Sequence, residues 1–366
     1  MMRRALALAA RGVGLVSPSP LVGCVVTDAA GAVAGEGFYL WDAVEHAEAI
    51  ALRQAGERAR GGTAYVSLEP HSHQSRTPPC TEALLCAGIS RVVAPIEDPN
   101  PKVAGQGFIA LREAGLEVVT GVLAREAARL NEAYIQHQRT GRPFVHLKLA
   151  SSLDGKIATR AGDSQWITGP AARSRVQELR HTYDAILVGA GTARSDNPSL
   201  TDRTRRARRR PLARIVLDER LETPLASPLV LTAREFPTLL FTAQTQAAEY
   251  SAKGVEIISG GRDLGAVLDE LGRREFNSLL VEGGAGVAGA FLDAGLVNKV
   301  SFFIAPLIIG GTDAPAAVGG AGPASLAEAC RLSDVTITQH GPDVEITGYP
   351  QKYIFQEKAA AATRRG

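Results

Sequence analysis

Cysteine is scarce: four in 366 residues, at Cys24, Cys80, Cys86 and Cys330. So few and so scattered, they exclude a disulfide framework and point to a reducing, cytoplasmic setting. Charge of one sign is lacking too. The 40 Lys and Arg residues against 38 Asp and Glu leave a formal charge of +2, so no global field favours nucleic acid. No apolar run approaches the length of a membrane span. Met1-Met2-Arg3-Arg4 followed by alanine and leucine imitates a secretory signal, but Arg11 ends the stretch early, and an amphipathic first helix is expected instead. Aromatic residues make up only 5%. What remains, 45% hydrophobic and 21% charged, is the composition of a globular protein long enough for two domains and a sizeable core. No internal repeat is present. The basic, alanine-rich tail at 358–366 is expected to fray.

The most informative segment runs from His46-Ala47-Glu48 through Glu69-Pro70-His71 to Cys80. Zinc deaminases follow H-x-E, then P-C, then a second Cys; here His71 takes the first Cys position. A catalytic zinc needs three protein ligands and one open position, and a carboxylate that is not a ligand must carry the proton to the leaving amine. Glu48 lies two residues beyond His46, at the start of a helical run over 47–51. Cys80 follows Thr77-Pro78-Pro79 and opens a second expected helix, which places thiolate and metal between two helix N-termini. His46, His71 and Cys80 are a chemically reasonable ligand set, with His73 as a substitute. A lone H-x-E on a helix is usually of no special kind, but the companion segment E-P-H-S-H-Q-x-R-T-P-P-C argues against chance. Activity of the zinc site is a separate matter from the fold.

Up to about residue 140, strands are expected at 22–26, 63–68, 91–94 and 116–119, with a hairpin turn at 28–31. Helices are expected at 107–114 and 124–138. Thr140-Gly141-Arg142-Pro143 marks the domain boundary. A second α/β unit begins at 144–149, with strands at 185–188, 213–217, 237–241, 255–258 and 278–281, helical patterns between several of them, and hence a mainly parallel sheet.

In this second unit Glu282-Gly283-Gly284-Ala285-Gly286 joins a strand to a helix, where backbone N–H groups can approach a diphosphate. Such a turn alone is weak. Its weight comes from three polar clusters: Ser151-Ser152-Leu153-Asp154-Gly155-Lys156, Ser164-Gln165-Trp166-Ile167-Thr168, and Gly191-Thr192 with Asp196-Asn197-Pro198. Together they indicate a dinucleotide pocket, although Trp166 and Asp154 also suit a core aromatic and a turn residue. Arg203, Arg205, Arg206, Arg208, Arg209 and Arg210 form a run that reads first as a solvated loop, second as an anion site, and third as a nucleic-acid surface, which the absence of interleaved aromatics disfavours.

These motifs, in this order, resemble the bifunctional deaminase–reductase family of riboflavin biosynthesis over nearly the whole chain. Val22-Gly23-Cys24-Val25-Val26, His46-Ala47-Glu48, Arg76-Thr77-Pro78-Pro79-Cys80, Asp98-Pro99-Asn100-Pro101, Ser152-Leu153-Asp154-Gly155 and Trp166-Ile167-Thr168 carry the likeness. It implies an α/β protein with a cytidine-deaminase-like α/β/α domain at 1–141 and a reductase domain like dihydrofolate reductase at 142–357. The first would hydrolyse the 2-amino group of 2,5-diamino-6-(5-phosphoribosylamino)pyrimidin-4-one; the second would use NADPH to reduce the opened ribose to ribityl.

By the same resemblance Glu48 is the proton shuttle and His46, His71 and Cys80 hold one Zn2+ per chain. His73, Arg76, Asn100 and Lys102 contact base or phosphate. Ser164, Arg180, Leu200, Arg203 and Glu282 surround the second substrate. Ala150, Trp166, Thr192, Asp196, Glu219 and the turn of Gly284, Ala285, Gly286, Val287, Ala288, Gly289 and Ala290 meet NADPH. Lys148 and Glu282 are the ionisable candidates beside the reacting ribose carbon: a lysine can protonate an alkoxide, and the acid orients or exchanges protons. Arg180 and Arg203 suit a phosphate monoester.

The implied partners are phosphorylated pyrimidines, not nucleic acid or membrane, in a homo-oligomer. The departures from the family pattern are Ser19, Tyr39, Glu45, His71 and Ser75, all in the first domain. They keep a second reading open, a reductase with a degenerate deaminase domain. A nucleic-acid base deaminase is a third and weaker reading.

Overall fold

The structure, a computed structural model, describes residues 1–42, 44–74 and 78–351. Arg76 and the tail at 358–366, singled out above, lie outside the described residues. The chain divides into two compact units, with residues 1–141 in the first and the second beginning at Arg142.

The first unit runs α1 (Met2–Ala10), β1 (Gly23–Thr27), β2 (Val33–Phe38), α2 (Ala47–Ala55), β3 (Thr63–Val66), α3 (Cys80–Cys86), β4 (Arg91–Ala94), α4 (Gln106–Glu113), β5 (Glu117–Thr120), α5 (Ala124–Leu130) and α6 (Glu132–Thr140). Its sheet has the order β2-β1-β3-β4-β5. β1 pairs antiparallel with β2 and β3, while β3, β4 and β5 are parallel. Alternate residues of β1 face opposite layers: Cys24 and Val26 pack with Ala51, Leu84 and Leu111 of α2, α3 and α4, whereas Val25 packs with Met2 and Ala5 of α1. The β1–β2 turn forms because Asp28 Oδ1 accepts the N–H groups of Ala30 and Ala32, an Asx turn. α2 lies close on β2 at glycines; a Cβ at Gly37 would sit 2.4 Å from the Ala47 carbonyl oxygen.

One expectation is corrected here. The helix read over 124–138 is two helices, α5 and α6, because Asn131 between them turns its amide to Leu21, accepting from its N–H at 2.8 Å and donating to its C=O at 2.9 Å. A side chain that pairs with main chain elsewhere competes with the helix ladder.

The second unit runs β6 (Phe144–Ser152), α7 (Pro170–Thr182), β7 (Ala185–Gly189), α8 (Ala190–Ser195), β8 (Ala213–Leu217), α9 (Pro228–Leu231), β9 (Thr238–Thr242), α10 (Ala248–Ala252), β10 (Glu256–Ser259), α11 (Leu264–Arg273), β11 (Ser278–Val281), α12 (Ala285–Asp293), β12 (Lys299–Ala305), β13 (Leu332–His340) and β14 (Asp343–Pro350). The nine strands order as β10-β9-β8-β7-β11-β6-β12-β14-β13. Pairing is parallel as far as β12 and antiparallel in the last two strands, so the sheet is mainly parallel, as the strand-helix alternation implies. The strands β12, β13 and β14 are additions to the sequence reading. One face buries Leu147, Leu187, Ile215 and Leu279 under Leu268 and Phe291 of α11 and α12. The other buries Ile186, Val188 and Val216 with Ala193, Leu229 and Tyr250 of α8, α9 and α10.

Candidate functional site

In the first unit His46 caps the N-terminus of α2, Glu48 stands in its first turn, and Cys80 is the first residue of α3. One ligand atom from each of His46, His71 and Cys80 lies within 4.8 Å of the others. Cys80 Sγ is 3.3 Å from His46 Nδ1, and the His46 and His71 rings are 4.6 Å apart. His71 Nε2 and Glu48 Oε2 are buried without a hydrogen-bond partner among the described residues. Buried polar atoms are nearly always partnered, so an orphaned imidazole nitrogen beside a thiol and a second imidazole is a place for a cation, and the donor set fits zinc. Burial, with His46 and His73 adding, lowers His71 to about 4; its ring is neutral at pH 7 and free to ligate. Burial and the Glu48 carboxylate push the Cys80 thiol well up, so a metal arriving there displaces a proton.

His73 stacks edge-on against His71 at 5.3 Å but is outside the converging ligand group. Its Nδ1 is also buried without a hydrogen-bond partner among the described residues. Tyr39 packs edge-on against His46 at 5.3 Å. Asn100 and Lys102 lie on the loop after β4, which is fastened by a residue that the sequence reading named in its motif but gave no role. The buried Glu69 carboxylate accepts the N–H groups of Asp98, Gly105 and Gly107 at 2.9, 2.9 and 2.8 Å. Asp98 in turn accepts the Asn100 N–H and the Tyr134 hydroxyl. Burial, and less so Glu69, raises Asp98 to about 6 against the pull of those two donors. The loop is thus tied to the strand end that delivers His71.

In the second unit Lys148 lies on β6 and Glu282 just beyond β11. The two strands are parallel neighbours with Val281 opposite Leu147, which sets these side chains adjacent. Lys148 Nζ is 3.6 Å from Glu282 Oε2. Arg180 grips the same carboxylate bidentately, Nε to Oε1 at 2.8 Å and Nη2 to Oε2 at 3.1 Å. Burial would raise Glu282, but the Arg180 and Lys148 cations outweigh it and hold the carboxyl at about 2. It is therefore an acceptor at neutral pH, suited to orienting a group and not to donating a proton. Of the further substrate candidates, Ser164 is half-buried and Arg203 exposed, with the Arg203 N–H on Gln177 Oε1. Leu200 is 3% exposed, its side chain in the core beside Val188, so only its main chain is left for contact.

The arginine run is only partly the solvated loop first read. Arg208 turns inward and donates to the carbonyls of Arg180, His181 and Tyr183, closing the C-terminus of α7, while Asp202 accepts from His181 at 2.7 Å. These three residues brace the helix that carries Arg180, and sequence reasoning gave no role to Asp202 or His181.

The dinucleotide motifs come together in part. Gly284 donates its N–H to Thr192 Oγ1 at 3.1 Å, joining the α8 cluster to the glycine turn. A Cβ at Gly283 would sit 2.6 Å from Val287 Cβ, so the turn needs glycine there, while Gly286 faces open space. Such a cradle fits a diphosphate. Ala150 shares the Lys148 face of β6. Trp166 is exposed under the Arg173 guanidinium, 4.6 Å above its ring. Asp196 is exposed beside Ser195. Glu219 pairs with Arg262, a residue absent from the sequence reading.

Residues 1–95 match the cytidine and deoxycytidylate deaminase zinc-binding region, and residues 143–346 match the RibD C-terminal domain. The chain is 43% identical to the riboflavin biosynthesis protein RibD of Bacillus amyloliquefaciens, covering 96% of this chain and 95% of that one. It is 41% identical to RibD of Escherichia coli (strain K12), with coverage of 94% and 96%. Among solved structures, Acinetobacter baumannii RibD is similar at a TM-score of 0.86 and 37% identity, covering 95% of this chain and 97% of that one. A Thermotoga maritima diaminohydroxyphosphoribosylaminopyrimidine deaminase/5-amino-6-(5-phosphoribosylamino)uracil reductase is similar at 0.86 and 36%, with the same coverage. With a match to a deaminase zinc-binding region in its first unit, a match to the RibD C-terminal domain in its second and relatives matched nearly end to end, the chain belongs to the RibD family of bifunctional riboflavin-biosynthesis enzymes.

Proposed function

We propose that residues 1–141 deaminate 2,5-diamino-6-(5-phosphoribosylamino)pyrimidin-4-one and that residues 142–357 reduce the ribosyl group of the product to ribityl. The observation that carries the first step is the convergence of His46, His71 and Cys80 beside the 3%-exposed Glu48, whose Oε2 has no hydrogen-bond partner among the described residues. Zinc held there supplies Lewis-acid activation of water near neutral pH. Glu48 takes the proton from the attacking water and returns it to the amine, so C2 gains oxygen and ammonia leaves. Asn100, Lys102, His73 and Arg76 hold the base and phosphate.

For the second step NADPH supplies the hydride. Lys148 hands a proton to the developing alkoxide, Glu282 holds Lys148 and Arg180 in place, and Arg180 with Arg203 takes the phosphate monoester. The Gly284–Ala290 turn, Ala150, Trp166, Thr192, Asp196 and Glu219 hold the dinucleotide. The enzyme works in the cytoplasm, on small phosphorylated pyrimidines rather than nucleic acid or membrane, as a homo-oligomer. In support of assembly, the edge strand β13 presents Val335 and Ile337 to solvent, the kind of edge that pairs with a second copy.

Zinc content and ammonia release, with Glu48→Gln as control, test the reading. One zinc per chain and ammonia release cut by about 10²–10⁴-fold in Glu48→Gln with zinc retained are expected. No zinc and no ammonia beside intact NADPH oxidation would leave a reductase alone.

A further inference from the structure

We propose that Arg262 sets the coenzyme preference of the second unit by exchanging its partner Glu219 for the 2′-phosphate of NADPH. The inference rests on the dinucleotide reading of the glycine turn. A cavity of about 410 Å³ opens beside that turn, lined on one side by Gly286, Val287 and Ala290 and on the other by Leu217, Arg262 and Leu264. Glu219 follows the C-terminal end of β8 by two residues. In Rossmann-type dinucleotide sites an acid beside the adenosine ribose favours a free 2′-hydroxyl and an arginine nearby accommodates a 2′-phosphate instead, and the same chemistry holds for an acid and an arginine beside this cavity. This chain has both, joined to each other.

The two partners are held differently. Glu219 is pinned by its main chain: its carbonyl accepts from Thr242 Oγ1 at 3.1 Å and from the Ala243 N–H at 3.3 Å. Arg262 extends from Gly260 and Gly261, at φ +115° and +120°, with its side chain 83% exposed. The neighbouring Asp263 is engaged, its Oδ1 accepting the Gly265 and Ala266 N–H groups at the start of α11. An exposed ion pair is weak in water, whereas a guanidinium on a phosphate makes paired, charge-assisted hydrogen bonds. Exchange of carboxylate for phosphate is therefore downhill, and without Arg262 the Glu219 carboxylate repels the same phosphate. Arg220, the other cation acting on Glu219, serves as a control position.

The test is calorimetric titration of the full chain with 2′,5′-ADP and with 5′-ADP, which needs no turnover. The intact protein is expected to bind 2′,5′-ADP about tenfold or more tightly than 5′-ADP, the order of one charge-assisted pair. Arg262→Ala should bring that ratio to about one or below, Arg262→Lys should restore part of it, Arg220→Ala should leave most of it, and Glu219→Gln should widen it. A ratio unchanged in Arg262→Ala, or an intact protein that prefers 5′-ADP, overturns the proposal. Failure of both nucleotides to bind overturns the dinucleotide reading beneath it as well.

Discussion

Glu282 is ionised because two cations reach it in a place where burial alone would protonate it. Its folded value of about 2 lies below the ordinary glutamate value of about 4.3, so its contribution to stability is full above the latter and is lost as pH falls towards the former. The denaturation midpoint of Glu282→Gln should therefore fall well below the parent at pH 7, with the gap closing between pH 4 and pH 2. A gap that is independent of pH would mean the carboxylate is not held down. At this scale the candidate metal site was legible, because His46, Glu48 and Cys80 sit in local motifs at helix starts and His71 on the segment that leaves β3. Glu69 and Arg208 were not. Their partners are main-chain groups 29–38 and 25–28 residues away in sequence, and a main-chain partner leaves no mark on residue identity.

Helix α2 has the candidate ligand His46 at its N-cap and the proposed proton shuttle Glu48 in its first turn, and its place is set by how closely it approaches β2. At Gly37 a Cβ would fall 2.4 Å from the Ala47 carbonyl and 2.7 Å from Ile50 Cβ. Gly37→Ala should cost about 1–3 kcal/mol by overpacking, lower the zinc bound per chain, and leave NADPH oxidation intact; metal analysis beside a reductase assay checks it. Full zinc occupancy in that variant would show that α2 is not placed by this contact. Strand β2 is thus as much a part of the metal centre as the ligands, although it contributes none. The break between α5 and α6 was illegible for a related reason, since it depends on Leu21, far back in the chain. β13 was missed because its residues are exposed or half-buried throughout, which leaves no buried run to read.

For the whole molecule, each unit closes its own core, the first around Val26 and Val66 and the second around Leu147 and Ile215. A single two-state transition is then the wrong description. Thermal scans should show two transitions, with a zinc chelator lowering only one. NADP+ should raise the other, by about 2.7 kcal/mol at a hundredfold excess over its dissociation constant. A single transition moved by both treatments would mean that the units unfold together. Two cores also have a genetic consequence. A chain ruined in its first unit still delivers a working second, and the reverse holds for a lesion beyond Arg142. Two defective alleles, one broken in each half, should therefore complement each other in one cell, with the deaminated intermediate passing between the two gene products.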